Sequence, residues 1–357
     1  MIQTTTIASA PIVKIGHGLM SMSWVANPPP EEQCFESIIA GINAAPAGVK
    51  VFLNAGEFYG KWPNVTANLE LLNRFFTKYP EYAERTFLSV KASLSVGVTR
   101  IDSYDQYPTR VQLLFRSMVS PKTARKPAGL ERSITNTIQK LGPNKKIDLF
   151  EPARLDPNVS IEETMAELNK HVELGNIGAI GLSECSAATL DRASKVGKVA
   201  AVEIEVSLWS YEEETRKVIS KAADIGAVVA AYSPLGQGAL TGKLNLADLG
   251  KDDHRSHYPK FQEESFKKNV KLVDALKALA EKKGVTTAQL SLAWVSSLGQ
   301  HVVPIPGSTR AARTVENASA ASIELSKEEL EEIGHIIGAN PVSGDRYPEQ
   351  LMKTVWR

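Results

Sequence analysis

Short runs of hydrophobic residues alternate with helix-period segments along almost the whole chain. The runs have strand length and little internal apolar–polar alternation, which is typical of parallel strands that helices cover. Seven runs are clear, at Val51–Asn54, Thr86–Lys91, Ile147–Phe150, Ile177–Leu182, Val199–Ile204, Ala227–Ala231 and His301–Ile305. A weaker run at Val13–Gly18 makes an eighth predicted strand.

The segments between these runs repeat their apolar residues with the period of amphipathic helices. Ser160, followed by Ile-Glu-Glu, has the sequence of a capping box, and Ser186 is placed to cap the next helix. The predicted helices are Glu32–Ala44, Asn64–Tyr79, Leu130–Leu141, Ile161–Leu174, Ala187–Val196, Glu212–Ile225, Glu264–Lys283 and Thr287–Leu298. Because no linker divides the chain, we predict one α/β domain over residues 1–357, a (β/α)8 TIM barrel.

A doubly wound sheet is the alternative fold, and its dinucleotide fingerprint is missing. No G-x-G-x-x-G follows a predicted strand and opens a helix. Gly16-His-Gly18 lacks the third glycine, and the glycines of Gly236–Gly242 have the wrong spacing. A dinucleotide bound by this chain is therefore expected to bind without a Rossmann motif.

Two segments depart from the barrel pattern. Ala92–Gly129 is too long for an ordinary strand-to-helix connection, so we predict an insertion, either a short helix or a loop. Its basic and tyrosine side chains suit either contact with an anion or a solvated surface; they are Arg100, Arg110, Arg116, Lys122, Arg125, Lys126, Tyr104 and Tyr107. The tail Pro341–Arg357 has little periodicity and is expected either to cross the barrel mouth or to fray.

Composition and charge limit the kinds of partner that the protein is expected to bind. The chain is 43% hydrophobic with a formal charge of +1, as expected for a globular protein without a field that attracts nucleic acid or anionic membranes. No run of about 18 apolar residues is present, and the N-terminus lacks the features of a secretory signal. We therefore expect a cytoplasmic protein, with entry into the nucleus by diffusion left open, and a monomer or weak homo-oligomer.

The metal-binding residue types are sparse and scattered. Cys34 and Cys185 are the only cysteines, which are too few for a disulfide framework or a zinc site. The six histidines show no paired-ligand spacing on one predicted element. We predict no metal site.

Two strand ends carry candidate acid–base chemistry. The strand at Val51–Asn54 leads into a turn that bears Tyr59, and the next strand ends at Lys91. Consecutive parallel strands deliver both side chains to the same rim of a barrel. An ammonium next to a phenol favours the phenolate and lowers a pKa that starts near ~10. The pair is therefore predicted to act as a proton donor, which hydride transfer to a carbonyl requires.

Seven segments, in their order along the chain, together resemble the aldo-keto reductase family. They are Phe52–Gly60, the strand ending at Lys91, Ile147–Arg154, Gly178–Glu184, Val202–Trp209, Ala230–Gly238 and Pro304–Asn317. The resemblance covers nearly the whole length apart from Ala92–Gly129. It implies a barrel enzyme that reduces carbonyl groups with NADP(H).

The resemblance also implies the cofactor-binding residues. Ser183, Glu184 and Glu203 are expected to bind the nicotinamide carboxamide. Tyr232 is expected to stack on the nicotinamide ring, in a segment that also brings Ser233 and Leu235 to the cofactor. The residues expected at the adenosine end are Thr309, Arg310 and Arg313 on the 2′-phosphate, and Glu316 and Asn317 on the adenine edge. The two arginines favour NADP over NAD.

The chain departs from the family at two of four catalytic positions. The family uses Asp, Tyr, Lys and His; here Asn54 stands at the aspartate position and Ala153 at the histidine position. Lys91 is therefore expected to lack its usual counter-ion, although Asn54 can orient it. Ala153 opens space beside Tyr59 for a substrate, and tryptophans are expected to form an aromatic wall there: Trp62 first, with Trp24, Trp209 and Trp356 as further candidates.

These departures resemble the fungal pyridoxal reductase branch of the family. The segments are Leu53–Gly60, Asp148–Pro157 and Val202–Leu208. The resemblance implies NADPH-dependent reduction of pyridoxal to pyridoxine, with Tyr59 as the proton donor. Two alternatives stay open: a broad-range aldehyde reductase, and a non-catalytic NADP-binding regulatory subunit, because two catalytic positions differ.

Overall fold

A computed structural model describes residues 1–92, 127–250 and 253–357. The predicted insertion at Ala92–Gly129 lies almost wholly outside these residues. Its two ends are described: Ala92 closes a strand, and residues from Pro127 onward already belong to the next helix. The basic residues of the insertion and their predicted ligand contacts therefore lie outside the described residues.

Eight parallel strands form the central sheet, in which each strand lies beside the next one along the chain. The backbone amide of Gly16 donates to the carbonyl of Pro304, and that of Gly18 donates to Pro306, so the first and last strands meet and close the barrel. The strands are β3 His17–Gly18, β4 Val51–Gly56, β5 Thr86–Ala92, β6 Leu149–Pro152, β7 Ile180–Ser183, β8 Val199–Glu205, β9 Val228–Tyr232 and β10 Val302–Pro304. The predicted (β/α)8 barrel is confirmed.

An N-terminal hairpin closes one end of this barrel. Strands β1 (Thr4–Ile7) and β2 (Ala10–Val13) pair antiparallel. The predicted single strand Val13–Gly18 was wrong in its first half, because Val13 ends the hairpin before β3 begins. The buried Ile7 and Ile12 belong to the same apolar cluster as Phe52 and Phe87. The barrel is therefore open only at the carboxyl ends of its strands.

The helices surround the barrel close to their predicted positions. They span Glu31–Asn43, Ala67–Lys78, Pro127–Leu141, Ile161–Glu173, Ala187–Ser194, Glu213–Ile225, Glu263–Lys283, Thr287–Ser297, Ala311–Ser319, Lys327–Ala339 and Glu349–Met352. The Ser160 capping box is present, with Ser160 Oγ accepting from the amide of Glu163, and Ser186 caps the following helix. The helix Lys327–Ala339 was absent from the sequence prediction, although Ser326 and Glu329 form a capping box at its start.

The barrel interior has two layers of different polarity. Alternate residues of a strand point to the same face, so each strand sends a series of side chains inward. Near the hairpin these side chains are apolar and cluster together; they include Phe52, Phe87, Leu149, Ala201 and Ala230. Two residues further along the same strands stand Asn54, Ser89, Glu151, Glu203 and Tyr232. The apolar layer forms a floor, and the polar layer faces the open mouth.

The C-terminal tail is tied down across the barrel mouth. Arg346 is buried, with 3% of its surface exposed, and forms an ion pair with Glu184. The hydroxyl oxygens of Tyr347 and Tyr232 lie 2.7 Å apart. Further along, the amide of Trp356 donates to the carbonyl of Glu184 at 2.8 Å. The predicted tail over the mouth is confirmed, and the alternative of a frayed terminus is not.

Candidate active site

A cavity of about 680 Å³ opens at the carboxyl ends of the strands. Its wall includes Asn54, Tyr59, Lys91 and Glu203 at the centre. The loop after β9 and the helix Ala311–Ser319 extend the cleft to one side, and the C-terminal tail contributes Tyr347, Leu351 and Thr354. Strand ends, loops and tail thus form one continuous cleft.

The turn after β4 fixes the position of Tyr59. The amide of Tyr59 donates to the carbonyl of Gly56 at 3.2 Å, and Ser23 Oγ donates to the Tyr59 carbonyl at 2.6 Å. A Cβ on Gly56 would lie 2.9 Å from the Tyr59 ring, so the close approach of ring and backbone requires glycine. The indole of Trp24 stacks on the phenol with centroids 5.5 Å apart. The phenol therefore has one defined position at the cleft wall.

Lys91 is held by two side chains deep in the cleft. Its ammonium lies 3.0 Å from Glu203 Oε2 and also donates to Asn54 Oδ1. Asn54 Nδ2 donates to the same Glu203 oxygen at 2.6 Å. Asn54 leaves Lys91 without the aspartate that is usual in the family, but Glu203, on a strand across the barrel, supplies a carboxylate in its place. The ammonium lies 5.1 Å from the centroid of the Tyr59 ring.

Burial and charge set the protonation of this group. Burial alone would lower the pKa of Lys91, but Glu203, Tyr59 and Glu151 together raise it above its ordinary value. Burial raises the pKa of Tyr59, and the opposing effect of Lys91 does not cancel this rise. The predicted lowering of the phenol pKa was therefore wrong. At neutral pH Lys91 is a cation and Tyr59 keeps its proton, which is the form that can donate to an oxygen.

Glu151 is a buried carboxyl group that the sequence prediction missed. Ser89 Oγ donates to its Oε2 at 3.2 Å, and the group faces Glu203. A Cβ on Gly181 would lie 2.5 Å from Glu151 Oε1, so glycine leaves the room that this carboxyl occupies. Burial, followed by the charge of Glu203, raises the pKa of Glu151 well above its usual range. The sequence did contain a signal for Glu151. It stands two residues after Leu149, which faces the barrel interior, and alternate residues of a strand point the same way.

The structure places Glu184 away from the cleft, which corrects its predicted role at the carboxamide. Its Oε2 accepts from Arg346 Nη2 at 3.0 Å, and its Oε1 accepts from the Tyr232 hydroxyl at 2.7 Å. Although burial raises the pKa of Glu184, Arg346 and Arg154 lower it below its ordinary value. With its oxygens engaged, Glu184 anchors the tail and orients Tyr232.

The remaining residues predicted for the nicotinamide end line the cleft. These are Ser183, Glu203, Tyr232, Ser233 and Leu235. The Tyr232 ring lines the cleft while its hydroxyl is held between Glu184 and Tyr347. A ring fixed in this way presents a preformed flat surface.

The residues predicted for the adenosine end divide into two groups. Arg313, Glu316 and Asn317 line the cleft, and Asn317 Nδ2 is buried without a hydrogen-bond partner among the described residues. Thr309 and Arg310 do not line the cleft. Both lie just before the helix that begins at Ala311, and Arg310 is exposed there. A helix N-terminus, where bound phosphate is favoured, therefore lies at these residues.

The predicted aromatic wall is only partly formed. Trp24 lines the cleft beside Phe58, Tyr59 and Ala153. Trp62 is 57% exposed and does not line the cleft, so its position as the leading wall residue was wrong. The turn after Tyr59 carries the Trp62 side chain to the outer surface. Trp209 is buried against Phe261 and Phe266, and Trp356 covers the Arg346 guanidinium.

The described residues contain neither a metal-binding cluster nor a membrane-spanning helix. No group of three or more His, Cys, Asp or Glu side chains is arranged to hold a metal ion in residues 1–92, 127–250 and 253–357. In the same part of the chain, every helix is too short or too polar to cross a bilayer.

Comparison with known proteins gives the relationship of the chain. The Aldo/keto reductase family profile matches residues 14–337. The chain belongs to the aldo/keto reductase family. It is 34% identical to probable pyridoxal reductase 2 of Schizosaccharomyces pombe over 347 residues, which is 96% of each chain. It is 32% identical to probable aldo-keto reductase 1 of Glycine max over 346 residues, covering 97% of this chain and 91% of the other.

Solved aldo/keto reductase structures share the fold. The glycerol dehydrogenase of Gluconobacter oxydans superposes with a TM-score of 0.78 at 23% identity, covering 96% of this chain and 97% of the other. An aldo-keto reductase of Klebsiella pneumoniae, solved with NADPH, gives a TM-score of 0.65 at 20% identity and covers 98% and 99%. As a member of this family, the chain is an oxidoreductase.

Proposed function

We propose that this protein is an NADPH-dependent reductase that converts the aldehyde of pyridoxal to the alcohol pyridoxine. The observation that carries the proposal is the buried contact between Lys91 and Glu203 behind Tyr59. This ion pair keeps a charged lysine beside the tyrosine, although Asn54 replaces the aspartate that is usual in the family. The 34% identity to a probable pyridoxal reductase along 96% of both chains supports the substrate.

The cleft fits NADP(H) at both of its ends. Ser183 and Glu203 offer hydrogen-bonding groups beside the fixed ring of Tyr232. At the other end, the buried Nδ2 of Asn317 needs an acceptor, and an adenine ring nitrogen would provide one. Arg310 and Arg313 flank the start of a helix, where an anionic phosphate is favoured. The Klebsiella pneumoniae relative solved with NADPH agrees with this choice.

The residues around Tyr59 have separate tasks in this reaction. The cofactor supplies the hydride. Tyr59 donates its proton to the oxygen on which negative charge develops, and the Lys91 ammonium stabilises the resulting tyrosinate. Glu203 and Asn54 hold Lys91 in place through the hydrogen bonds described above. Ala153 leaves the space for a planar ring beside Tyr59 and Trp24.

The proposal is tested by comparing three substrates. NADPH oxidation is measured with pyridoxal, benzaldehyde and butyraldehyde under identical conditions. A clear preference for pyridoxal in kcat/KM supports the proposal. Turnover of the other two aldehydes without pyridoxal would replace it with a broad-range aldehyde reductase. Binding of NADPH without turnover of any aldehyde would favour a regulatory subunit.

A further inference from the structure

We propose, on the basis of the proposed function, that Arg154 binds the substrate and selects aromatic aldehydes that carry an anionic oxygen beside the carbonyl. Pyridoxal belongs to this class, because its ring hydroxyl is ortho to the aldehyde and is ionised near neutral pH. Neither the aldehyde chemistry of Tyr59 nor the cofactor requires this arginine. It would act as a specificity-determining residue.

Arg154 is placed beside the reacting centre. It directly follows Ala153, which contacts Tyr59 and Trp24 in one apolar cluster. The Arg154 side chain lines the same cleft as Tyr59 and Tyr347. Its Nη1 donates to the Ala153 carbonyl at 2.6 Å, so the guanidinium is held close to the backbone at this point.

Most of the donors of Arg154 have no acceptor among the residues that the structure describes. A guanidinium carries five N–H groups, and among the described residues only Nη1 forms a hydrogen bond. The buried Nε has no hydrogen-bond partner in the described part of the chain. A cation with unmet donors at a cleft wall is costly to maintain without a function, because buried donors lose their water. An anionic oxygen from a substrate would satisfy them.

The nearby carboxylates are already engaged. Glu184 accepts from Arg346 and Tyr232, and Glu205 lies 3.7 Å from Arg346. Glu203 is paired with Lys91. Within the described residues, no carboxylate oxygen comes within 4.0 Å of the Arg154 guanidinium. Arg154 interacts with Glu184 only at longer range, so its N–H groups can still pair directly with an anionic ligand in the cleft.

The geometry of an ortho oxyanion matches this position. In such an aldehyde, the anionic oxygen and the carbonyl are attached to adjacent ring carbons, so the two oxygens lie close together. Tyr59 and Arg154 both line the cleft, and Ala153, which packs in one cluster with Tyr59, directly precedes Arg154. Trp24 and Phe58 supply apolar surface for the ring. A guanidinium also binds an oxyanion more strongly than it binds a neutral group.

The test uses two aldehydes that differ only in the ortho oxygen. In 2-hydroxy-5-nitrobenzaldehyde the nitro group keeps the phenol ionised at neutral pH, and 3-nitrobenzaldehyde lacks the hydroxyl. For the wild-type enzyme, we expect kcat/KM to be about 10- to 100-fold higher with the hydroxylated compound, as for a charge-assisted hydrogen bond. Equal values in the wild-type enzyme would overturn the proposal.

Variants assign that preference to the arginine. Arg154→Met is expected to abolish the preference by lowering kcat/KM for the anionic aldehyde alone. Arg154→Lys is expected to retain part of the preference. Arg255→Met is the matched control, because Arg255 also lines the cleft but is already paired with Asp253. This control should leave the ratio between the two aldehydes unchanged. NADPH affinity, measured by fluorescence, should be unchanged in Arg154→Met.

Other outcomes contradict the inference. If Arg154→Met lowers kcat/KM equally for both aldehydes, Arg154 only supports the structure of the site. If the variant binds NADPH more weakly, Arg154 is a cofactor-binding residue. If Arg154→Met does not fold, the inference is decided by the ratio of the two kcat/KM values in the wild-type enzyme and by the change of that ratio in Arg154→Lys. An enzyme that prefers the oxyanion through Arg154 but does not reduce pyridoxal would refute the proposed function alone. Reduction of pyridoxal that is unaffected in both Arg154 variants would refute this inference alone.

Discussion

The carboxylate of Glu203 lies 3.0 Å from the ammonium of Lys91, and both side chains are buried. The two residues stand on β8 and β5, which are separated by two other strands in the sheet order. Asn54 bridges them by accepting from Lys91 and donating to Glu203. The negative charge that the family places on the Asn54 strand is thus present on a different strand.

Replacing Glu203 with Gln should impair both stability and turnover. The substitution leaves Lys91 buried without its ion pair, which is expected to lower the free energy of unfolding by about 3–5 kcal/mol. Loss of the positioned ammonium is expected to lower kcat by about 100-fold. Urea unfolding and steady-state kinetics measure the two effects.

A double variant provides the control for Glu203. Asn54→Asp combined with Glu203→Gln moves the carboxylate to the position that is usual in the family. We expect it to recover most of the lost stability and activity. Asn54→Asp alone places two carboxylates beside one ammonium and is expected to be destabilising. A Glu203→Gln variant equal to the wild type would show that the contact has no role.

Replacing Tyr59 with Phe should separate catalysis from cofactor binding. The ring and its stacking on Trp24 are retained, while the proton donor is lost. We expect kcat to fall by about 10²- to 10⁴-fold, the usual contribution of general acid catalysis. NADPH affinity, followed by fluorescence, should not change. A variant that keeps its turnover would assign the proton to another group.

Replacing Glu151 with Gln should change how stability depends on pH. The pKa of Glu151 is raised in the folded protein, so above the unfolded value of about 4.3 the folded state holds a proton that the unfolded state releases. Stability therefore falls as the pH rises from that value towards the raised one. Glutamine resembles the protonated carboxyl group but cannot ionise, so the variant does not lose this stability as the pH rises.

Urea unfolding at two pH values measures the effect at Glu151. The Glu151→Gln variant should be more stable than the wild type at pH 8, and the difference should shrink by pH 4. Glu151→Leu, which cannot hydrogen-bond to Ser89, is the control for shape alone. A difference between wild type and Glu151→Gln that does not vary with pH would indicate that Glu151 is ionised in the folded protein.

Replacing Arg346 with Met should loosen the tail. The buried Glu184 carboxylate then loses its ion pair, and we expect a fall of about 3–5 kcal/mol in the free energy of unfolding at pH 7. Because the pKa of Glu184 is lowered in the folded protein, this stabilisation is present above about 4.3 and is lost as the pH falls through the folded value. The effect of Arg346→Met should therefore diminish in acid.

Kinetics and a second variant complete the test of Arg346. Release of Tyr347 from Tyr232 should raise KM for the aldehyde more than it lowers kcat, because Tyr59 and Lys91 are untouched. The double variant Glu184→Gln, Arg346→Met should be more stable than Arg346→Met alone. Equal stability of the two variants would mean that the unpaired carboxylate is not the source of the loss.

The sequence predicted the parts of this molecule that depend on local pattern. Apolar runs located the barrel strands, and strand ends placed Tyr59 and Lys91 at one rim, where the structure also has them. The start of β3 was less predictable, because Val13 continues an apolar run that the hairpin interrupts.

Contacts across the barrel could not be predicted in the same way. Glu203 and Lys91 are 112 residues apart, and nothing in either segment shows that their side chains meet. Likewise, the Glu184 carboxylate turns away from the cleft because Arg346, 162 residues later, forms an ion pair with it. Trp62 was misplaced because its nearness to Tyr59 in sequence does not fix the direction of the turn between them.

Some of the residues that shape the cleft belong to the barrel, and others belong to the C-terminal tail. Tyr59, Lys91 and Glu203 belong to the barrel, whereas Tyr347, Leu351 and Thr354 belong to the last 17 residues of the chain. Substitutions in this short terminal segment would thus reshape the entrance for substrates without disturbing proton transfer. A barrel of this design can acquire new substrates through its terminus while its chemistry stays the same.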